Sequence, residues 1–368
     1  MSEPTTTPGA DPATTRINRD ETEVGSVFVS NYPAYSFWDE EDVPKARQAL
    51  ASPPNPDSQL GLYLHIPFCR KRCKFCYFRV YTDKNADQIQ TYLDALAREV
   101  EHYAQQPAIQ GRPLHFVYFG GGTPSYISSR HLRALVERIK DVMPWDQADE
   151  IAFECEPGTL TKAKLETIRD IGVTRLSLGL ENLNDEILHH NGRAHVSKEI
   201  YQAMPWVKEL DFDQVNVDLI AGMVGETWER WRETVQKTID LDPDTVTVYQ
   251  MELPYNTVYS KDLLSGDSEA IPLADWKTKR AWHAYAFEQF AAAGYTRSSA
   301  YTMKKTPEAR FVYRDAVWTG QDMIGAGVAS FSHMNGVHYQ NAPRWEDYLG
   351  TIDRGDLPLH RAFATNRD

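Results

Sequence analysis

Six short apolar runs mark the middle of the chain, and a segment with apolar residues at helical spacing follows each. LGLYLHI opens the series at Leu60, followed by LHFVYF, EIAFECE, TRLSLGLE, QVNVDLIAG and DTVTVYQ. Apolar runs of about four to eight residues between turn signals read as strands. The segments between them predict helices at about 86–105, 128–142, 161–171, 184–190, 197–209 and 226–240. Strands that alternate with helices form a parallel sheet with right-handed crossovers, and strongly apolar strands fit burial on both faces. The expected fold is α/β: a partial (β/α)6 TIM-like barrel over residues 60–272.

The pattern changes at both ends. Residues 1–26 are polar and read as a disordered tail. Residues 27–59 read as an aromatic lead-in, GSVFVSNYPAYSFW, and a Pro-rich linker, ASPPNPDSQ. Residues 273–368 read as a smaller C-terminal α+β region: a helix at about 273–293, then GYTRSSAYTM and VWTGQDMIGAGVASFSHMNGVHYQN as strands and glycine turns. No internal repeat has its own signature beyond the strand–helix alternation.

Composition narrows the function. The apolar fraction of 42% is enough for a sizeable core. A formal net charge of -13 argues against nucleic acid as a main partner, because phosphate binding needs a basic face. No apolar run approaches the roughly 18 residues of a membrane span. The N-terminus lacks the apolar core of a signal peptide, so a cytoplasmic location is expected. In that setting four cysteines do not suggest a disulfide framework.

Three of the four cysteines fall in HIPFCRKRCKFCYF, as Cys69, Cys73 and Cys76. A bridge between residues so close in sequence stabilises little. Three thiolates on one loop suit a cubane iron–sulfur cluster, one ligand per iron, with one iron left open. That iron can hold a small chelating ligand such as S-adenosylmethionine, through its amino and carboxylate groups. A zinc site with His65 as fourth ligand is an alternative. So is a redox Cys73–Cys76 pair, which leaves Cys69 idle. Cys155, alone in a strand, reads as a small buried apolar residue. The basic run RKRCK reads either as a solvated loop or as a device that favours thiolates and docks an acidic electron donor.

YLHIPFCRKRCKFCYF resembles the cluster loop of the radical S-adenosylmethionine (SAM) superfamily, in its oxygen-independent coproporphyrinogen III oxidase, or HemN-like, branch. FGGGTPSY, SLGLENLNDEILHHNGRAH, VNVDLIAGM, VYQMELP and MIGAGVASFS extend the resemblance through most of the chain, and NYPAYSFW is similar to the aromatic lead-in of the oxidases. The resemblance implies a [4Fe-4S] cluster on Cys69, Cys73 and Cys76, two SAM molecules, and a flavodoxin- or ferredoxin-type donor. It places Tyr63, Gly121, Gly122, Thr123 and Glu154 at the first SAM, Glu154 on its ribose. Arg193 and Asp218 fall at the second, Phe75 against the cofactor, and Met251 and Phe331 at backbone or packing positions.

Two departures from the oxidases stand beside this chemistry. Phe78 occupies the position of a further cysteine, and Glu181 that of a glutamine. A carboxylate in place of an amide adds charge and removes a donor, so Glu181 is the candidate catalytic residue, able to favour a cationic group or take a proton. The expected activity is radical C–H abstraction leading to C-methyl transfer or related carbon–carbon chemistry, on a planar, tetrapyrrole or quinone-like substrate. Oxidative decarboxylation of coproporphyrinogen III is the first alternative. A heme-binding chaperone, with His333 and His338 as axial ligands, is the second.

Overall fold

The computed structural model describes residues 33–254, 256–265 and 273–365, so the expected tail at 1–26 lies outside the described residues. A lead-in helix, α1 (Val43–Ala51), precedes the first strand. The barrel unit then runs β1 (Leu60–Ile66), α2 (Ala86–Ala104), β2 (Leu114–Gly121), α3 (Ser129–Lys140), β3 (Glu150–Cys155), α4 (Lys162–Asp170) and β4 (Arg175–Glu181). It continues through α5 (Asp185–His190), α6 (Ser197–Glu209), β5 (Gln214–Ala221), α7 (Trp228–Leu241) and β6 (Thr245–Gln250). All six expected strands and the helices between them are present. Asn85, Ser128, Thr161, Asn184 and Thr227 cap the N-termini of α2, α3, α4, α5 and α7 through their side chains.

β1 to β6 pair in parallel in chain order, and the sheet does not close. Each strand sorts its side chains by alternation. Leu62, Leu64, Val117, Phe119, Phe153, Leu176, Leu178, Val217 and Val248 face the surrounding helices and form the main core. The opposite face holds Tyr63, Tyr118, Glu154, Ser177, Asp218 and Tyr249, and lines the barrel interior. Cys155 is on the helix-packed face, among core residues, in keeping with its reading as an apolar residue.

The C-terminal residues build onto both edges of this one sheet. α8 (Val258–Ser265) and α9 (Trp276–Ala292) lead to β7 (Thr296–Arg297) and β8 (Thr302–Lys304), and β8 pairs antiparallel with β6. After α10 (Val312–Trp318), β9 (Asp322–Ala326) pairs parallel with β1, with Tyr63 opposite Gly325. β10 (Phe331–Met334), β11 (Val337–Asn341), α11 (Trp345–Asp353) and β12 (Leu359–Ala364) complete that edge.

α10 corrects the sequence reading, which takes Val317 and Trp318 as the start of a strand and turn. They are the last turn of a helix that plugs the bottom of the barrel. The cause is a long-range partner: the buried carboxylate of Glu150 accepts the backbone N–H groups of Val312 and Tyr313, each at 3.1 Å. A carboxylate at a helix N-terminus satisfies otherwise unpaired donors. Val312 and Ala316 then pack on Phe116, Tyr118 and Ala152 inside the barrel.

Candidate functional site

The loop after β1 carries the three cysteines. It is held at its base by Cys69 N–H to the Tyr81 carbonyl, at 3.1 Å, and Tyr81 N–H to the Pro67 carbonyl, at 2.7 Å. Cys69 is buried, while Cys73 and Cys76 are partly buried. Thr123 Oγ1 donates to Cys69 Sγ at 3.3 Å, and Arg193 Nη1 donates to Cys73 Sγ at 3.3 Å. Burial, reinforced by the neighbouring cysteines, pushes the Cys69 thiol up to about 12 and the Cys76 thiol up to about 11. Three mutually interacting sulfurs on one partly enclosed loop, with a guanidinium on one of them, fit a cluster that binds thiolates and carries its own positive metal charge.

The glycine turn after β2 packs directly against this loop. A Cβ on Gly122 would sit 2.9 Å from the Pro67 carbonyl carbon and 3.0 Å from Cys69 Sγ. Gly121 has φ +114, and a Cβ there would lie 2.6 Å from the His65 ring. Backbone therefore approaches the sulfurs more closely than any side chain permits. Gly122→Ala is expected to cost about 1–3 kcal/mol through overpacking and to weaken iron retention, read by urea titration and iron content.

His65 is already committed to this packing. It is buried, and Tyr63 Oη lies 3.2 Å from its Nδ1. Burial pushes it down to about 4. Among the described residues no three His, Cys, Asp or Glu side chains converge as the ligands of a single ion.

Deeper in the barrel three carboxylates face the interior. Glu154 accepts from Tyr118 Oη at 2.7 Å and from Gly121 N–H at 3.3 Å. Asp218 accepts from Ser177 Oγ at 3.1 Å and Asn216 Nδ2 at 2.9 Å. Glu181 lies 3.6 Å from Arg193, at a register shift between β4 and β5, with φ +63. That left-handed backbone is uncommon for a residue with a Cβ and turns the side chain inward at the strand end. Burial, with Asp218 nearby, pushes Glu154 and Glu181 each up to about 7, and burial also raises Asp218. Arg193 also donates to the Gly179 carbonyl at 2.5 Å. The proximity of Cys73 and Glu181 holds its guanidinium charged against the cost of burial.

Tyr63, Tyr118 and Tyr313 of α10 form one aromatic cluster: Tyr63 lies 5.8 Å from Tyr118 and 6.3 Å from Tyr313, and those two rings lie 4.3 Å apart. At the mouth, Tyr77 and Phe78 stack at 4.5 Å, and Phe78 is 47% exposed. Tyr249, at the end of β6, is also 47% exposed although Asp218, Glu154 and Glu181 act on it, because it projects into an open interior. It stacks on Tyr301 at 6.1 Å.

The structure thus brings Tyr63, Gly121, Gly122, Thr123, Glu154, Glu181, Arg193 and Asp218 together with the cysteines. Phe75 packs beside buried Met251. The Met251 backbone is engaged within the protein: its N–H donates to the Ala221 carbonyl at 2.8 Å and its carbonyl accepts from Lys279 Nζ at 2.9 Å. The Phe331 ring lies elsewhere: it meets Tyr35 at 5.9 Å and Trp38 at 5.5 Å, edge to face, and so anchors the lead-in segment. Sequence reasoning missed Tyr118, Tyr249 and Tyr313. The alternation of β2 and β6 contained the signal for the first two. Nothing local marked Tyr313. His333 and His338 lie opposite each other on a hairpin, with ring centroids 4.5 Å apart. That spacing leaves no room for a porphyrin between them.

Residues 63–238 match the Radical SAM superfamily. The chain is 28% identical over 353 residues to the oxygen-independent coproporphyrinogen III oxidase of Synechocystis, covering 92% of this chain and 74% of that protein. It is 26% identical over 308 residues to the heme chaperone HemW of Bacillus subtilis, covering 80% and 76%. The solved structure of the Escherichia coli coproporphyrinogen III oxidase HemN, described as a radical SAM enzyme, superposes with a TM-score of 0.80 at 25% identity, over 92% of this chain and 79% of that one.

Proposed function

The chain belongs to the radical SAM superfamily, on its HemN-like branch, and from that premise we propose that it is a two-SAM radical enzyme acting on a planar substrate that is not polyanionic. Cys69, Cys73 and Cys76 would hold the [4Fe-4S] cluster, and the glycine turn and Thr123 would support it. When bound, the reduced cluster would supply one electron to the sulfonium of SAM, and cleavage of that sulfonium to methionine would supply the adenosyl group that abstracts hydrogen. Glu154 would accept from the first ribose. Arg193, Asp218 and Glu181 would seat the second SAM, which would donate a methyl group and leave as S-adenosylhomocysteine.

The observation that carries this reading is the charge of the interior. Glu154, Glu181 and Asp218 share the interior with two guanidinium groups: Arg193, already engaged with Cys73, Gly179 and Glu181, and buried Arg175, which acts on Asp218 and Glu150 from the floor of the barrel, so three carboxylates meet two cations and neither cation is free. SAM carries a sulfonium, an ammonium and a carboxylate, for a net charge of +1, so two of them complement such a site. A tetracarboxylate porphyrinogen calls for several free Arg or Lys side chains instead. The exposed aromatic rings of Phe78, Tyr249 and Tyr301 offer flat surfaces to a ring substrate. The basic loop side chains Arg70 and Lys71 remain at the surface, where they would suit an acidic electron donor.

The second reading, decarboxylation of coproporphyrinogen III, is favoured by the similarity to the Synechocystis oxidase over nearly the whole chain. One assay separates the two. The chain, reconstituted anaerobically with iron and sulfide, is given reductant, SAM and either coproporphyrinogen III or neutral ring compounds. 5′-Deoxyadenosine with ring-dependent S-adenosylhomocysteine supports methyl transfer. 5′-Deoxyadenosine with carbon dioxide released from coproporphyrinogen overturns it in favour of decarboxylation. No 5′-deoxyadenosine under any condition, with Cys69→Ala giving the same trace, sinks the radical reading and leaves a binding role.

Glu181→Gln gives a graded check. Glu181 ionises as pH rises through about 7, so affinity for cationic SAM should increase over that range. The amide is expected to raise the KM for SAM about 10-fold, as loss of a charged hydrogen bond does, and to flatten the pH dependence.

A further inference from the structure

The stretch Asn191–Gly192–Arg193–Ala194–His195 tracks the cysteine loop residue by residue. Lys74 N–H donates to the Asn191 carbonyl at 3.1 Å. A Cβ on Gly192 would lie 3.3 Å from Lys74 Cγ. Arg193 reaches Cys73 Sγ, and the Ala194 carbonyl accepts from Arg70 Nη2. At the far end of this wall His195, whose side chain is fully buried, meets the carboxylate of Glu156 at 2.7 Å. The same carboxylate oxygen accepts Gly158 N–H at 3.1 Å, and its other oxygen lies 4.0 Å from Arg70. Arg70 also donates to the Gly158 carbonyl at 3.4 Å.

None of the roles assigned above uses Glu156 or His195. A buried ionisable pair is poor evidence for stability, since packed apolar residues of similar volume often do as well. Its value is in fixing one geometry. Glu156 is anchored in turn by its backbone N–H to Ser125 Oγ at 3.1 Å, beside the glycine turn. Resting on the cluster reading above, we propose that the Glu156–His195 pair is a positioning unit. It locks the 191–195 wall and, through Arg70, the near flank of the cysteine loop, so that the Arg193 guanidinium is held against Cys73.

A fixed positive charge beside a cluster ligand favours the reduced, more negative cluster. Loosening the wall should therefore make the cluster harder to reduce without removing any ligand. The test uses the full chain, reconstituted to full iron and sulfide content, in a redox titration read by electron paramagnetic resonance with no SAM added. His195→Ala is expected to lower the ratio of reduced to oxidised cluster about 10-fold at fixed potential, 59 mV for one electron. Arg193→Met should shift it in the same direction. His195→Asn, which keeps a donor near Glu156, should restore the ratio. A purely structural pair would lower the melting temperature of the metal-free chain and leave this ratio alone. A fully loaded His195→Ala chain with the wild-type ratio, while Arg193→Met shifts, overturns the proposal. Should His195→Ala fail to fold, the isosteric Glu156→Gln carries the same two outcomes. A wild-type chain that takes up no four-iron cluster is a different result: it removes the cluster reading and this proposal with it.

Discussion

Alanine at Cys69, Cys73 or Cys76 is expected to leave a folded chain that retains far less iron and forms 5′-deoxyadenosine at least roughly 10³-fold more slowly, a small part of the acceleration enzymes provide. Each thiolate serves one iron, so a missing ligand is not replaced by its neighbours. The loop also has no competent substitute: Cys155 is buried on the helix-packed face of β3, among core residues. The fold should survive because the loop is held by backbone bonds at Tyr81 and Pro67 and by the Asn191–His195 wall, rather than by the sulfurs. Iron and sulfide analysis with a melting curve of the metal-free chain checks both halves. Iron retention by all three variants would end the three-ligand assignment. Collapse of the metal-free fold would mean the cysteines are structural.

Glu99→Ala should cost about 3–5 kcal/mol, because three buried donors lose their acceptor at about 1–3 kcal/mol each. Glu99 is fully buried and accepts from Tyr348 Oη at 2.7 Å, Gly327 N–H at 2.8 Å and Asn341 Nδ2 at 2.6 Å. These partners come from α11 and from the turns around β9 and β11, so one side chain of α2 ties the C-terminal edge to the barrel. Gly327 has φ +110, and a Cβ there would meet Tyr92 Oη at 2.5 Å, so the turn that donates to Glu99 requires glycine. The pH dependence has a defined sign. Burial pushes Glu99 up to about 8 against those three hydrogen bonds. The folded chain therefore binds this proton more tightly than the unfolded one. The stabilisation is complete below the ordinary glutamate value and is lost as pH rises toward about 8. Urea midpoints of the wild type and Glu99→Ala should accordingly draw closer from pH 5 to pH 8. A gap that widens with pH would refute the assignment.

The strands of the barrel were legible because each is a short apolar run bounded by turn residues, with its helix-facing side chains buried in the main core. The helices between them were legible from spacing and from side-chain caps such as Asn85 and Thr227. α10 was not, because its start depends on Glu150, distant in sequence, and its burial on the inner faces of β2 and β3. α11 and β12 escaped for a similar reason: their packing partners are on α2 and β11. The cysteine loop, the glycine turn and the carboxylates at strand ends were readable as candidates from position alone.

The sequence by itself determined the candidate ligands and the sheet order of the barrel, since both rest on local spacing: three sulfurs on one loop, and alternation along each strand. The tertiary structure alone decided what surrounds those sulfurs. Arg193, beyond α5, reaches Cys73, and Glu181 turns inward on a left-handed backbone where β4 slips in register against β5. Glu156 meets His195 only once β3 and the α5–α6 connection are packed side by side. Charge, burial and close approach are properties of neighbours in space, and no pattern along the chain states who those neighbours are.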